Sequence, residues 1–295
     1  MNEMLTGVFA PIITPFTNQK VDLGKLGWNI QKLNKSHLKG YMPLGSNGEF
    51  IYMNDEEQLE VYKTVKNACR NKVLIAGIAR QSAYCTIEFG KKIAQIGADF
   101  VSVLCPSYFA SSMDDAALIR YYTKIADELE IPVLMYNCPK FAAGVTISEN
   151  VVRIISDHPN VVGMKDTSSD NIEKYLAVRS SGFDILAGSI NIFLKGLKAG
   201  ASGGVLSPAN YLPEPCCMIQ NLFVEGRKEE AEELNSCFVK LIRESAGKYG
   251  TAGIKAASDL LGFKGGEVRN PLADCNPEQK MFIKSALIDA GYLTY

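Results

Sequence analysis

Histidine is scarce in this chain: two among 295 residues, His37 and His158. Metal sites built from imidazoles, and triads that use one as a base, have little to draw on. Tryptophan occurs once. Eight cysteines are spread through apolar segments (Cys69, Cys85, Cys105, Cys138, Cys216, Cys217, Cys237 and Cys275) with no C-x-x-C pair. That spacing argues against tetrahedral zinc and for reduced thiols. Neither sign of charge dominates: 31 Lys and Arg stand against 32 Asp and Glu, a formal net charge of −1. The balance argues against a nucleic-acid partner, which needs a basic face, and against a disordered chain. No apolar run approaches the ~20 residues of a membrane helix. The opening Met1, Asn2, Glu3 and Met4 do not form a basic stretch leading into an apolar one. A cytoplasmic protein without a membrane partner is expected.

A linker rich in Pro, Ser or Gly is missing too. What recurs is a short β-branched apolar run, a turn and a longer helical pattern. Strands are expected at residues 7–14, 40–44, 73–76, 100–104, 132–136, 161–164, 184–187 and 203–206. Helical periodicity marks 55–68, 82–96, 114–129, 148–156 and 171–179, with Asn54 and Ser148 as N-caps and Gly97 as a stop. Strands that are apolar throughout suit a parallel sheet covered by helices. Eight such units predict an α/β fold, a (β/α)₈ barrel over residues 1–224. Residues 225–245, 252–261 and 277–290 read as three further helices, a C-terminal appendage (225–295) packed on the barrel. The rival, a doubly wound open sheet, lacks its G-x-G-x-x-G fingerprint.

Reactive groups in such a barrel lie at the C-terminal ends of strands. Lys165 ends the apolar run Val161-Val162-Gly163-Met164. Held in a dry pocket, its amine loses basicity and becomes a nucleophile; alternatively it snorkels to solvent or pairs with Asp166. Tyr136 ends the preceding strand. It is either a proton shuttle for Lys165 or a core tyrosine capping a carbonyl. Gly45-Ser46-Asn47-Gly48-Glu49 is a turn whose N–H groups suit a carboxylate or oxyanion, or a plain strand-to-helix turn. Gly200 to Gly204 is a weaker second Gly-rich turn. No His/Asp/Glu cluster supports a metal-dependent aldolase, and no G-x-S-x-G elbow supports a serine hydrolase. A lysine imine enzyme acting on a small oxo acid, free of metal or organic cofactor, is the reading that survives.

At these residues the chain resembles the dihydrodipicolinate synthase/N-acetylneuraminate lyase family of pyruvate-dependent class I aldolases. The likeness runs through residues 7–16, 45–49, Tyr136-Asn137-x-Pro139, Gly163-x-Lys165-Asp166, Leu186-Ala187-Gly188 and 200–210. It implies a (β/α)₈ barrel with C-terminal helices in a homo-oligomer, dimer or tetramer. It also implies that Lys165 forms a Schiff base with pyruvate and that Tyr136 moves protons. Ser46 would relay protons to the tyrosine. Gly45, Ser46 and Asn47 would hold the pyruvate carboxylate, with the Val205 backbone against the substrate. Tyr108 would be contributed across a subunit interface. Synthases of the family usually carry Thr-Thr where Ser46-Asn47 stands, and an arginine in a Pro-Ser-Arg-Thr-Gly turn. Here the turn is Pro139-Lys140-Phe141-Ala142-Ala143-Gly144, one residue longer, and Lys140 offers a point charge rather than a fork. The 45–49 turn, Ala116-Ala117-Leu118-Ile119 with Tyr122-Thr123-Lys124, and Gly265-Gly266 ahead of Arg269 and Pro271 look more like 4-hydroxy-2-oxoglutarate aldolases. The alternatives are a synthase acting on aspartate semialdehyde and a barrel that binds an oxo acid without turnover.

Overall fold

The computed structural model describes residues 2–294. Met1 and Tyr295, the outer bounds of the expected two-part division, lie outside the described residues. The strands are β1 (Gly7–Ala10), β2 (Phe16–Thr17), β3 (Lys20–Val21), β4 (Gly40–Tyr41), β5 (Val73–Gly77), β6 (Phe100–Leu104), β7 (Val133–Asn137), β8 (Val161–Asp166), β9 (Asp184–Ala187) and β10 (Gly203–Val205). Eight of them close a parallel barrel in the order β1-β10-β9-β8-β7-β6-β5-β4, while β2 and β3 form a separate antiparallel pair. The helices are α1 (Leu23–Leu33), α2 (Asp55–Ala68), α3 (Ala83–Ile96), α4 (Asp115–Glu128), α5 (Glu149–Ile155), α6 (Ile172–Val178), α7 (Ile190–Ala199), α8 (Pro213–Val224), α9 (Lys228–Glu244), α10 (Gly250–Leu260) and α11 (Pro277–Asp289). The expected α/β barrel followed by C-terminal helices is the observed order.

Two compact units divide the chain. Among the described residues the first takes 2–9, 39–42 and 73–206; the second takes 10–38, 43–72 and 207–294. In the first, six barrel strands put a side chain into one apolar core (Phe9, Ile75, Phe100, Leu134, Leu186 and Val205), joined by Leu5 and by Met42, the residue after β4. Val162 of β8 packs against it. Truncating one such residue, Leu134 for example, costs ~2–5 kcal/mol. The core pins the register, because a one-residue slip would turn every apolar side chain to the other face. In the second unit α1, α2 and α8–α11 dominate. Asn54 opens α2 with a capping box closed by Glu57, and Asn276 opens α11 in the same way with Gln279.

Differences from the sequence reading have local causes. β1 stops at Ala10 rather than 14, since Pro11 has no N–H for the ladder. β4 stops at Tyr41 rather than 44, and Leu44 takes a left-handed φ of 61°. α1, α7 and α8 went unread. Gly24 and Gly27 enter α1, Gly196 enters α7, and Pro213 and Pro215 open α8, so intrinsic helix propensity is lowered in each, although α1 and α7 keep a clear apolar face.

Candidate active site

Lys165 and Tyr136 stand opposite each other in the β7–β8 register. Each is 5% exposed. β8 can approach β9 this closely because residue 163 is glycine: a Cβ there would lie 2.3 Å from the Asp184 carbonyl. The Lys165 amine sits 4.1 Å from the centre of the Tyr136 ring and 4.0 Å from Met42 Sδ. Neither neighbour carries a negative charge. Burial therefore acts almost unopposed and pushes the amine from 10.5 to about 8, with only Cys138 working against the shift. About a tenth of the amines are then free at pH 7, against a few in ten thousand for an ordinary lysine. The alternative of a solvent-bound or Asp166-paired lysine is not what the fold builds.

Val205 ends β10, buried and in register with Phe9. Cys105 and Cys138 are buried in the same unit, and Cys105 Sγ lies 3.4 Å from the Tyr122 hydroxyl and 3.9 Å from the Tyr136 carbonyl. Tyr108 behaves differently. It is 81% exposed, meets the Phe109 ring edge-on at 5.1 Å, and donates its backbone N–H to Gln81. Within one chain it is not brought to the Lys165–Tyr136 pair. Lys140 is exposed as well, its amine 5.8 Å from the neighbouring Phe141 ring.

The second unit holds the 45–49 turn. Gly45 is extended, Ser46–Gly48 form one turn of 3-10 helix, and Glu49 follows in the left-handed region at φ 54°. A Cβ on Gly48 would lie 2.9 Å from the Ile12 carbonyl. The Ser46 hydroxyl oxygen is buried with no hydrogen-bond partner among the described residues, and so is that of Thr14. An orphaned buried hydroxyl costs ~1–3 kcal/mol unless something else satisfies it, so the turn is built to receive a polar group. Asn47 Nδ2 donates to the Ser207 hydroxyl at 2.8 Å. Glu49, in a conformation that costs ~1–3 kcal/mol, is held by the Lys255 amine at 2.5 Å and by the Arg269 N–H at 2.8 Å. Arg269 also forks onto Glu57 at 2.7 and 2.8 Å.

Met42, Cys138, Ser207 and Lys255 were not singled out as site neighbours from the sequence. Met42 had a signal, as it follows a barrel strand. Lys255 had none, being a helical lysine far along the chain from the carboxylate that pairs with it. Among the described residues no three His, Cys, Asp or Glu side chains gather as a metal requires. No helix among them is long and apolar enough to cross a membrane.

A closed parallel barrel that keeps one strand-end amine dry beside a phenol has the equipment of a carbon–carbon lyase working through an amine. Comparison with known proteins narrows the class. The model of the dihydrodipicolinate synthetase family matches residues 4–290, and the chain belongs to that family. A mitochondrial protein of Emericella nidulans, named as a probable 4-hydroxy-2-oxoglutarate aldolase, is 30% identical over 295 aligned positions, spanning 97% of this chain and 95% of that one. The 4-hydroxy-tetrahydrodipicolinate synthase of Methanothrix thermoacetophila is 29% identical, spanning 99% of each. The solved structure of the same synthase from Methylacidiphilum fumariolicum superposes with a TM-score of 0.90 at 26% identity, over 97% of this chain and 96% of that one. The protein is accordingly a lyase, a pyruvate-dependent aldolase of this family.

Proposed function

We propose that the chain cleaves a 4-hydroxy-2-oxo acid, 4-hydroxy-2-oxoglutarate in particular, through an imine on Lys165, without a metal. The observation that carries this reading is a buried amine with no counter-charge among the described residues, 4.1 Å from the Tyr136 ring. In the proposed sequence the free amine adds to the oxo carbon. The carbinolamine loses water with Tyr136 moving the protons, and the iminium becomes an electron sink. Tyr136 then takes the proton of the 4-hydroxyl as the C3–C4 bond breaks. The aldehyde leaves, here glyoxylate. The remaining enamine is protonated at C3 and hydrolysed to pyruvate and free Lys165. Ser46, with its unpartnered hydroxyl, suits the proton relay. Gly45 and Asn47 beside it, and the Val205 backbone, are the groups proposed to hold the oxo acid. Tyr108, exposed in one chain, suits a contribution to the site of a second copy.

The substrate choice rests on the 139–144 turn. It carries no arginine, and its one cation, Lys140, stands in solvent. A charge-assisted bidentate bond is worth ~1.5–3 kcal/mol, so aspartate semialdehyde should be disfavoured by about one to two decades in kcat/KM. The rival reading, a synthase, draws on relatives of nearly equal identity that bear that name. Pyruvate release from 4-hydroxy-2-oxoglutarate, set beside condensation of pyruvate with aspartate semialdehyde coupled to dihydrodipicolinate reductase, tests both. Efficient condensation that is lost in Lys140→Ala would restore the synthase. Borohydride reduction with pyruvate should leave one adduct, on Lys165; an adduct elsewhere with Lys165 intact would refute the mechanism.

A further inference from the structure

Beyond Tyr136 and Lys165 each strand runs on by one residue, and these two, Asn137 and Asp166, are register partners as well. Side chains alternate along a strand, so both leave the face that carries the reacting pair. Both are fully buried. Asn137 Nδ2 donates to Asp166 Oδ1 at 2.8 Å and to the Tyr175 hydroxyl at 3.2 Å. Asn137 Oδ1 accepts the Ile147 N–H at 3.0 Å, and the Tyr175 hydroxyl donates to the Ile147 carbonyl at 2.5 Å. Two side chains thus occupy both backbone polar groups of Ile147. Asp166 is held further by the Ser168 N–H at 3.1 Å and the Ser168 hydroxyl at 2.7 and 2.8 Å. All these partners are neutral. Burial pushes the Asp166 carboxyl upward, while Asn137 and Ser168 hold it down.

The segment tied at its two ends by Asn137 and Ile147 is residues 138–146, which contains Lys140 and the 139–144 turn. The same Asn137 amide is stapled to the residue after Lys165. One side-chain network therefore connects the strand ends that carry the amine and phenol to the base of the loop on which substrate choice rests. Asn137 serves in one orientation only, since its oxygen must accept from Ile147 and its nitrogen must donate to Asp166. Buried networks of this kind are worth more than their separate bonds and fix one geometry.

We propose that Asn137, Asp166 and Tyr175 are positioning residues that set the 138–146 loop against the Lys165–Tyr136 pair and so govern the step that breaks or makes the C–C bond to the aldehyde half. The inference rests on the proposed function. Tyr175 reaches the loop base and not the amine, so its hydroxyl bears on the aldehyde half of the reaction and leaves imine formation alone. Tyr175→Phe removes a single oxygen. The expected result is a rate of borohydride-trapped pyruvate adduct on Lys165 within about twofold of wild type. Turnover through the C–C step (cleavage of 4-hydroxy-2-oxoglutarate or condensation of pyruvate with aspartate semialdehyde, whichever the wild type performs) should fall about tenfold in kcat/KM, as suits a buried carbonyl left unsatisfied. Circular dichroism checks that the variant is folded; if it is not, Asp166→Asn, which keeps the shape, is put to the same two measurements with the same expected split. Two rates that fall together, or two that stay unchanged, beside a wild type that forms the adduct, overturn the network alone. A wild type that forms no adduct on Lys165 overturns the proposed function and this inference with it.

Discussion

Two lysines of this chain are almost wholly buried, and their surroundings are opposite. Lys165 and Lys255 are 5% and 1% exposed, and each amine lies over an aromatic ring, 4.1 Å from Tyr136 and 4.5 Å from Phe16. Lys255 has the Glu49 carboxylate at 2.5 Å and the Glu267 carbonyl at 2.6 Å. Lys165 has a thioether at 4.0 Å. Burial pushes both amines down, but at Lys255 Glu49 pushes back. Burial with a counter-charge makes a structural cation that steadies the strained Glu49 turn. Burial without one leaves an amine of lowered basicity, as the proposed nucleophile requires. The difference separates the two roles more cleanly than depth or aromatic contact does.

Methionine, similar in length and neutral, tests the contrast at each position. Lys165→Met should abolish the borohydride-trapped pyruvate adduct and lower turnover by ~10⁴-fold or more, as loss of a nucleophile does. A trapped adduct in that variant would end the distinction. Lys255→Met leaves Glu49 buried without its partner and should cost ~3–5 kcal/mol in urea unfolding. Adding Glu49→Leu should recover most of that loss, because the pair is then removed whole. A single variant as stable as wild type would show that the pair holds nothing.

Tyr136→Phe should lower kcat by ~10²-fold, the ordinary size of a general acid–base contribution. Combined with Ser46→Ala it should show strong non-additivity, and simple additivity would separate the hydroxyl from the relay.

The smallest effect has an unusual sign. The folded Lys165 amine titrates at about 8, below its usual 10.5. Its burial cost is therefore fully present below pH 8 and is relieved as pH rises toward the unfolded value. Lys165→Met should stabilise the fold at pH 7 by at most ~3 kcal/mol, with the gain gone near pH 11, as read from Tm at the two pH values. Activity reports the same titration: the rate of pyruvate adduct formation should climb about tenfold per pH unit below 8 and level off above it. A flat profile from pH 6 to 9 would mean that the amine is already free.

Much of the barrel was legible because its strands are buried on both faces. A parallel strand so placed reads as an unbroken apolar run, and β5 to β9 do. Capped helices such as α2 were legible to the residue, since Asn54 and Glu57 write their hydrogen bonds into the sequence. Where glycine or proline enters a helix, as in α1 and α8, the propensity part of the local signal drops and packing makes up the difference. At the site, Lys165 and Tyr136 could be named because strand ends follow from the pattern. Their register, and the absence of any carboxylate near the amine among the described residues, could not.

The sequence alone determined the eight-strand barrel order, the placing of Tyr136 and Lys165 next to the C-terminal ends of β7 and β8, and the scarcity of imidazoles for a metal site. These are properties of short windows: apolar runs, caps, and the presence or absence of a residue type. Tertiary structure decided which buried lysine meets a carboxylate. Glu49 and Lys255, like Asn137, Tyr175 and Ile147, are joined by no spacing that a window can register. A lysine's pKa depends on every group within a few ångströms of its nitrogen, and those groups arrive from distant parts of the chain only when it folds.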